Sequence, residues 1–231
     1  MTNSILASLL AGNERHVERL EADHFKGHRG EQHPRIVSIG CSDSRVAVEA
    51  VWNIDKASEL FKSVNVGNQA WTHVEGELVV NDAVGYAVSS LGVSDIVVLG
   101  HTGCGAVAAA FDAVNGEGPE EAPPAVEAAI SRLVPLVEEA RELDIYDAQT
   151  PRDVAINRLV EYAVVRQVVF LDESPEVPIE TNCWGFVYDF QRAYGDDDGV
   201  AYLVAANGDS NTERLTELVP ERFASRVKSI R

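Results

Sequence analysis

Cys41, Asp43 and Arg45 follow directly on the apolar run Ile36–Gly40 (IVSIG), and a second stretch repeats the layout: Asp95–Gly100 (DIVVLG), then His101, then Cys104. Two thiolates and one imidazole make a good tetrahedral ligand set for zinc with a fourth position left open. Cys41, His101 and Cys104 are therefore read as the ligands of one Zn2+ per chain. Asp43 and Arg45 are read as the catalytic pair beside it. An ionised carboxylate only accepts hydrogen bonds, so Asp43 next to a zinc-bound hydroxide accepts a hydrogen bond from its single O–H and leaves a lone pair facing the substrate. Arg45 holds Asp43 ionised and oriented by a fork-like pair.

The ligands are far apart in sequence, so two strand ends must meet to bring them together. Both apolar runs read as short buried strands with a glycine permitting a tight exit, and ligands of open α/β sheets sit at such strand ends. Further along, Leu60–Val66 reads as a second strand, and Val46–Trp52, Leu78–Leu91, Gly103–Val114, 125–143, 151–171 and 211–227 as helices. Residues 115–124 read as an acidic loop, and FVYDF and GVAYLVAANG as two edge strands around the turn DDDG. The alternation predicts an α/β fold: a single domain with a central, mostly parallel β-sheet flanked by helices. Ahead of it, residues 4–25 space Ile5, Leu6, Leu9, Leu10, Val17 and Leu20 as an amphipathic helix. That gives an N-terminal helical arm, 1–35, packing on a neighbouring subunit, and a zinc-binding catalytic domain, 36–231. His24, His28 and His33 lie among glycines and read as surface histidines.

Charge excludes several classes of partner. The 231-residue chain carries 37 Asp plus Glu against 19 Lys plus Arg, a net −18, which repels nucleic acid and anionic membranes. Its lysines are Lys26, Lys56, Lys62 and Lys228 alone, and such an excess of carboxylates fits adaptation to high salt. No apolar run approaches the roughly 18–20 residues of a membrane span. The segment MTNSILASLLAGNERHVERL has no basic leader, and three cysteines argue against a disulfide framework, so a cytoplasmic location is expected.

Cys-Ser-Asp-Ser-Arg-Val at 41–46 and His-Thr-Gly-Cys-Gly-Ala at 101–106 resemble the two signatures of the β-class carbonic anhydrases. So do Gln32-His33-Pro34, Leu60-Phe61, Asn65-Val66-Gly67-Asn68, Tyr86, Asn157, Gln167-Val168 and Trp184-Gly185-Phe186-Val187-Tyr188-Asp189. The resemblance implies reversible hydration of CO2 to bicarbonate and a proton, on zinc held by Cys, His and Cys. It implies a homodimer or dimer-based higher oligomer, in which Gln32 reaches a neighbour's site and steadies bicarbonate. Phe61, Val66 and Tyr86 would form the apolar wall for CO2, and Gly105 the floor. In some members the aspartate swings onto zinc as a fourth ligand until the arginine recaptures it.

Two positions depart from the family pattern. Val64 replaces the arginine usual before the Asn-x-Ala/Gly-Asn block, and Ser38 replaces a tryptophan found in members with a second, inhibitory bicarbonate site; both argue against that site here. Three other readings compete. One is a hydrolase of carbonyl sulfide or carbon disulfide on the same scaffold. Another is a structural zinc protein with Cys183 as fourth ligand. The third, a phosphate loop at Gly100–Gly105, lacks both the Gly-x-Gly-x-x-Gly register and a Walker Lys-Ser/Thr.

Overall fold

The computed structural model describes residues 4–118 and 121–231. Two compact units are present, one ending at Gln32 and one running from His33 to Arg231. In the first, α1 (Ser4–Arg19) leaves Ile5, Leu6, Leu9, Leu10 and Val17 exposed and buries none of its residues. The helix stops short of the expected residue 25. Beyond it the chain breaks into turns, with Asp23 and Gly27 in the left-handed region that a helix cannot use.

The second unit is built on a five-stranded sheet. In chain order its elements are β1 (Ile36–Cys41), α2 (Val48–Trp52), β2 (Leu60–Asn65), β3 (Trp71–Val74), β4 (Glu77–Val80), α3 (Asp82–Leu91), β5 (Asp95–His101), α4 (Gly105–Val114), α5 (Pro124–Ser131), α6 (Val134–Glu142), α7 (Arg152–Glu173), β6 (Asn182–Asp189), β7 (Val200–Ala206) and α8 (Thr212–Glu217). The main sheet runs β2-β1-β5-β6-β7. β2, β1, β5 and β6 are parallel, and β7 returns antiparallel along β6. The chain goes from β1 to β2 on one side, then crosses to β5 on the other. The boundary between β1 and β5 is thus the topological switch point, where open α/β sheets form a crevice at the carboxyl ends of their strands.

The core explains this order. Val37 and Ile39 of β1, Ile96 and Val98 of β5, and Val187 of β6 are buried with Val160, Val164 and Val168 of α7. α7 lies so close to the sheet that a Cβ on Gly185 would meet Val164 Cγ1 at 2.8 Å and Val168 Cγ2 at 2.9 Å. Glycine at that point of β6 permits the crossover helix to pack directly on the sheet.

Four further sequence expectations change. The expected helix from Leu78 begins only at Asp82, because Leu78–Val80 belong to the β3–β4 hairpin. Glu75 and Gly76, both at positive φ, make its tight two-residue turn, and the Asn81 side chain then caps α3 by accepting from Ala83 N–H at 3.0 Å. The expected helix 125–143 is two helices, since Pro135 cannot bond back to Ser131 and its ring would clash with that carbonyl. The expected helix 211–227 divides at Pro220 into α8 and a 3-10 segment, Glu221–Arg226. Finally, β6 is an interior strand; β7 alone of the C-terminal pair is at the sheet edge. The expected loop 115–124 falls partly outside the described residues.

Candidate metal centre

Cys41 ends β1 and His101 ends β5, and the register pairs Gly40 with Leu99, so the strand that follows Gly40 emerges beside His101. Cys104 stands immediately before α4 and is fully buried. One ligand atom from each of the three lies within 4.8 Å of the others. Cys183, on β6, is also fully buried but belongs to no such group among the described residues; burial pushes its thiol up to about 12, as for a small apolar side chain.

The donor set fits a metal ion on two grounds. His101 Nδ1 lies 3.0 Å from the Thr102 carbonyl oxygen, which can only accept, so Nδ1 carries the proton and Nε2 presents a lone pair. That buried Nε2 has no hydrogen-bond partner among the described residues. A hydrogen-bonded Nδ1 and a free Nε2 is the arrangement a metal-binding imidazole requires. The two sulfurs lie 4.0 Å apart. Contact with Cys104 lowers the Cys41 pKa against the effect of burial, with the backbone N–H groups of Gly67 and Asp43 assisting. The same contact and burial push Cys104 up, opposed by the N–H groups of Val107 and Ala106 in the first turn of α4. One proton is thus retained between the two sulfurs, and bringing both to the thiolate so close together in a buried site needs a cation.

Asp43 faces this group. Its Oδ2 is 3.9 Å from His101 Nε2. Arg45 donates to it three times: backbone N–H to Oδ1 at 2.9 Å, Nε to Oδ1 at 2.9 Å and Nη2 to Oδ2 at 2.7 Å. The Arg45 guanidinium holds the Asp43 carboxyl well below the usual carboxylate range. Asp43 is 16% exposed in its side chain and Arg45 51%. Arg45 Nη2 also reaches the Gly103 carbonyl at 3.4 Å.

A second set of buried groups, which the sequence reading did not single out for a role in the site, fixes the His101–Cys104 loop. Asn157 of α7 accepts from Gly103 N–H at 2.8 Å and donates to Gln191 Oε1 at 3.3 Å. Gly103 has φ +64°, which favours glycine, and a Cβ there would also displace the Gln191 amide from Asn157. Asp189 is fully buried and accepts from Thr102 Oγ1 at 3.2 Å, Gln191 N–H at 3.0 Å and Tyr194 N–H at 2.8 Å. Phe190, between them, stacks on His101 with ring centroids 5.6 Å apart.

The other expected site residues are placed as follows. Phe61 and Tyr86 come together with ring centroids 6.0 Å apart. Val66 and Gly105 line a common cavity of about 690 Å³ whose wall is largely alanine and aliphatic, from Ala106, Ala109, Ile130 and Val134. Tyr86 is 50% and Val66 40% exposed. Gln32 is exposed at the end of the N-terminal unit. Ser38 is buried on β1 and accepts from Trp52 Nε1 at 3.2 Å, while Val64 is exposed on β2.

Fold and site define a mostly parallel α/β protein with a Cys–His–Cys metal centre at its switch point. The family model described as carbonic anhydrase matches residues 36–193. The chain is 32% identical to a carbonic anhydrase of Pseudomonas aeruginosa over 173 residues, covering 72% of this chain and 74% of that one. It is 38% identical to carbonic anhydrase 2 of Mycobacterium tuberculosis over 122 residues, 49% of this chain and 56% of the relative. With the mitochondrial β carbonic anhydrase 6 of Arabidopsis thaliana it shares 36% identity over 98 residues, 42% of this chain and 33% of the relative. The chain thus spans about a third and somewhat over half the length of these last two. Among solved structures, Coccomyxa β-carbonic anhydrase in complex with acetazolamide superposes with a TM-score of 0.72 at 23% identity, covering 93% of this chain and 92% of that one. The β-carbonic anhydrase CcaA gives 0.62 at 26% identity, covering 81% and 84%. The chain belongs to the β-class carbonic anhydrases. Members of that class use zinc, and the group Cys41, His101 and Cys104 is positioned to bind it.

Proposed function

We propose that this chain catalyses the reversible hydration of CO2 to bicarbonate and a proton, with Cys41, His101 and Cys104 holding one zinc ion. The observation that carries this reading is the clustering of one ligand atom each from Cys41, His101 and Cys104, with His101 Nε2 free and a pinned carboxylate 3.9 Å from it. Zinc bound there supplies a Lewis acid that makes a water molecule nucleophilic near neutral pH. Asp43 does the orienting. Kept ionised by Arg45, it accepts the O–H of the attacking oxygen and leaves a lone pair turned toward CO2. Gly105, Val66, Phe61 and Tyr86 give CO2 an apolar approach, which suits an uncharged substrate. Gln32, delivered by a neighbouring subunit, donates to the bicarbonate formed.

The functional division follows as an arm, residues 1–35, and a catalytic domain, 36–231. α1 with its exposed apolar face suits packing on a second copy, and the assembly is a homodimer or a multiple of one. Three free, buried cysteines suit the reducing cytoplasm. No helix among the described residues is long and apolar enough to cross a membrane. The zinc-loaded protein, assayed on CO2, carbonyl sulfide and carbon disulfide in one preparation, should turn over CO2 fastest by a wide margin. Faster turnover of either sulfur compound would overturn the substrate assignment.

A salt dependence follows from the net charge of −18. At about 0.01 M ionic strength the Debye length is roughly 30 Å, so carboxylates repel across the whole particle and between subunits. At about 1 M it is roughly 3 Å and the repulsion becomes local. CO2 is uncharged, so screening leaves its capture intact. Dilution from molar KCl to tens of millimolar should therefore loosen the oligomer and then lower activity. Sedimentation and CO2 hydration followed together check this; unchanged mass and rate at low salt would reject adaptation to high salt.

A further inference from the structure

We infer that Phe190 is the positioning residue for Arg45, and through it for Asp43; this rests on the hydration reading above. Arg45 is a long side chain with its guanidinium half in solvent, and such a side chain loses much rotamer freedom when held in one geometry. Its bidentate pair with Asp43 fixes the two groups to each other but not to the metal site, and its other polar contact, Nη2 to the Gly103 carbonyl, is long at 3.4 Å. What lies beneath the guanidinium is the Phe190 ring, with Arg45 Cζ 4.6 Å from its centroid. That is within the range of a cation–π contact.

The ring is itself fixed. Phe190 N–H donates to Thr102 Oγ1 at 3.2 Å, and that hydroxyl donates to the fully buried Asp189. The Phe190 ring meets Tyr188 edge-on at 5.9 Å between centroids and lies nearly parallel to His101, at 22°. Phe190 therefore ties Arg45 to the same loop that carries His101 and Cys104. The guanidinium that grips the Asp43 carboxylate is thereby seated against the metal-site loop rather than left in solvent. Phe190 touches no reacting atom; its effect passes through Arg45.

The test uses the zinc-loaded protein and its variants at molar salt. Phe190→Leu removes the ring face while keeping apolar bulk, and Phe190→Met does so with a more adaptable side chain should leucine fail to fold. Either should lower kcat for CO2 hydration about fivefold to tenfold, with KM and zinc content unchanged. Phe190→Tyr, which keeps a π face, should recover most of that loss. In an Arg45→Ala background, Phe190→Leu should cost nothing further, because the group it positions is gone. Full additivity of the two losses, or loss of zinc from Phe190→Leu, would overturn the inference and make Phe190 a support of His101 instead. So would unchanged kcat in both the Leu and Met variants while Arg45→Ala is impaired. A parent protein inactive on CO2, or an Arg45→Ala variant as active as the parent, would instead refute the hydration reading itself.

Discussion

Cys41→Ser and Cys104→Ser should each reduce bound zinc from about one ion per chain to less than about a tenth, and abolish CO2 hydration with it. A catalytic zinc site uses three protein ligands, and losing one thiolate leaves a neutral hydroxyl that binds zinc poorly at neutral pH. The fold should survive both changes. Serine is close to cysteine in size, and the backbone N–H groups of Gly67 and Asp43 that face the Cys41 sulfur can serve a hydroxyl oxygen equally well. Cys183→Ser is the control. It places a hydroxyl in a fully buried site on β6 and should cost stability, yet keep zinc, since Cys183 lies outside the ligand group. Metal analysis on the purified variants, with circular dichroism to verify folding, reads all three. Near-stoichiometric zinc in Cys41→Ser or Cys104→Ser would remove that cysteine from the site. Zinc loss in Cys183→Ser would revive a closed, structural site.

Asp43→Asn should keep the fold and nearly all its zinc while losing about 100-fold to 1000-fold in CO2 hydration. An amide donates as readily as it accepts, so the attacking oxygen is no longer turned one way. The substitution also cancels the charge that draws Arg45 Nε and Nη2 onto the two carboxylate oxygens, at 2.9 and 2.7 Å. Because Arg45 holds the Asp43 carboxyl well below the usual carboxylate range, the native group is ionised throughout the neutral range. The comparison is thus between an acceptor and an amide, free of any protonation of Asp43. Stopped-flow hydration with zinc measured on the same samples decides it. A variant within threefold of the parent would show that Asp43 is not catalytic.

The two strand ends were legible because each carries ligand-type side chains directly beside a glycine that closes an apolar run. Gly40-Cys41 and Gly100-His101 state both the strand and its exit in a few residues. The parallel sheet was legible from the spacing of apolar runs and helices. The hairpin was not, because Leu78-Val79-Val80 continues without a break into α3 and looks like its first turn. The decisive signals there were Glu75-Gly76 as a turn and Asn81 as a cap, both short and local. Pro135 and Pro220 were readable as breaks, but the apolar periodicity across them outweighed their backbone chemistry. Phe190 and Asp189 were illegible as positioning groups for a different reason. Their partners, Thr102, His101 and Arg45, lie in distant segments, and only the β5–β6 register together with the β1–β5 pairing brings them together. A phenylalanine after a strand end has no sequence mark that separates a core filler from the floor under an arginine.

The central claim is that hydration of CO2 depends on zinc held at the carboxyl ends of β1 and β5. The most direct test follows zinc content and CO2 hydration together on one preparation of the whole chain in molar salt, as isolated, after chelation, and after zinc is restored. The expected result is about one zinc per chain, activity that falls in proportion to zinc removed, and recovery on its return. Full activity in the metal-depleted protein, or a zinc-replete protein that does not hydrate CO2, would contradict the account.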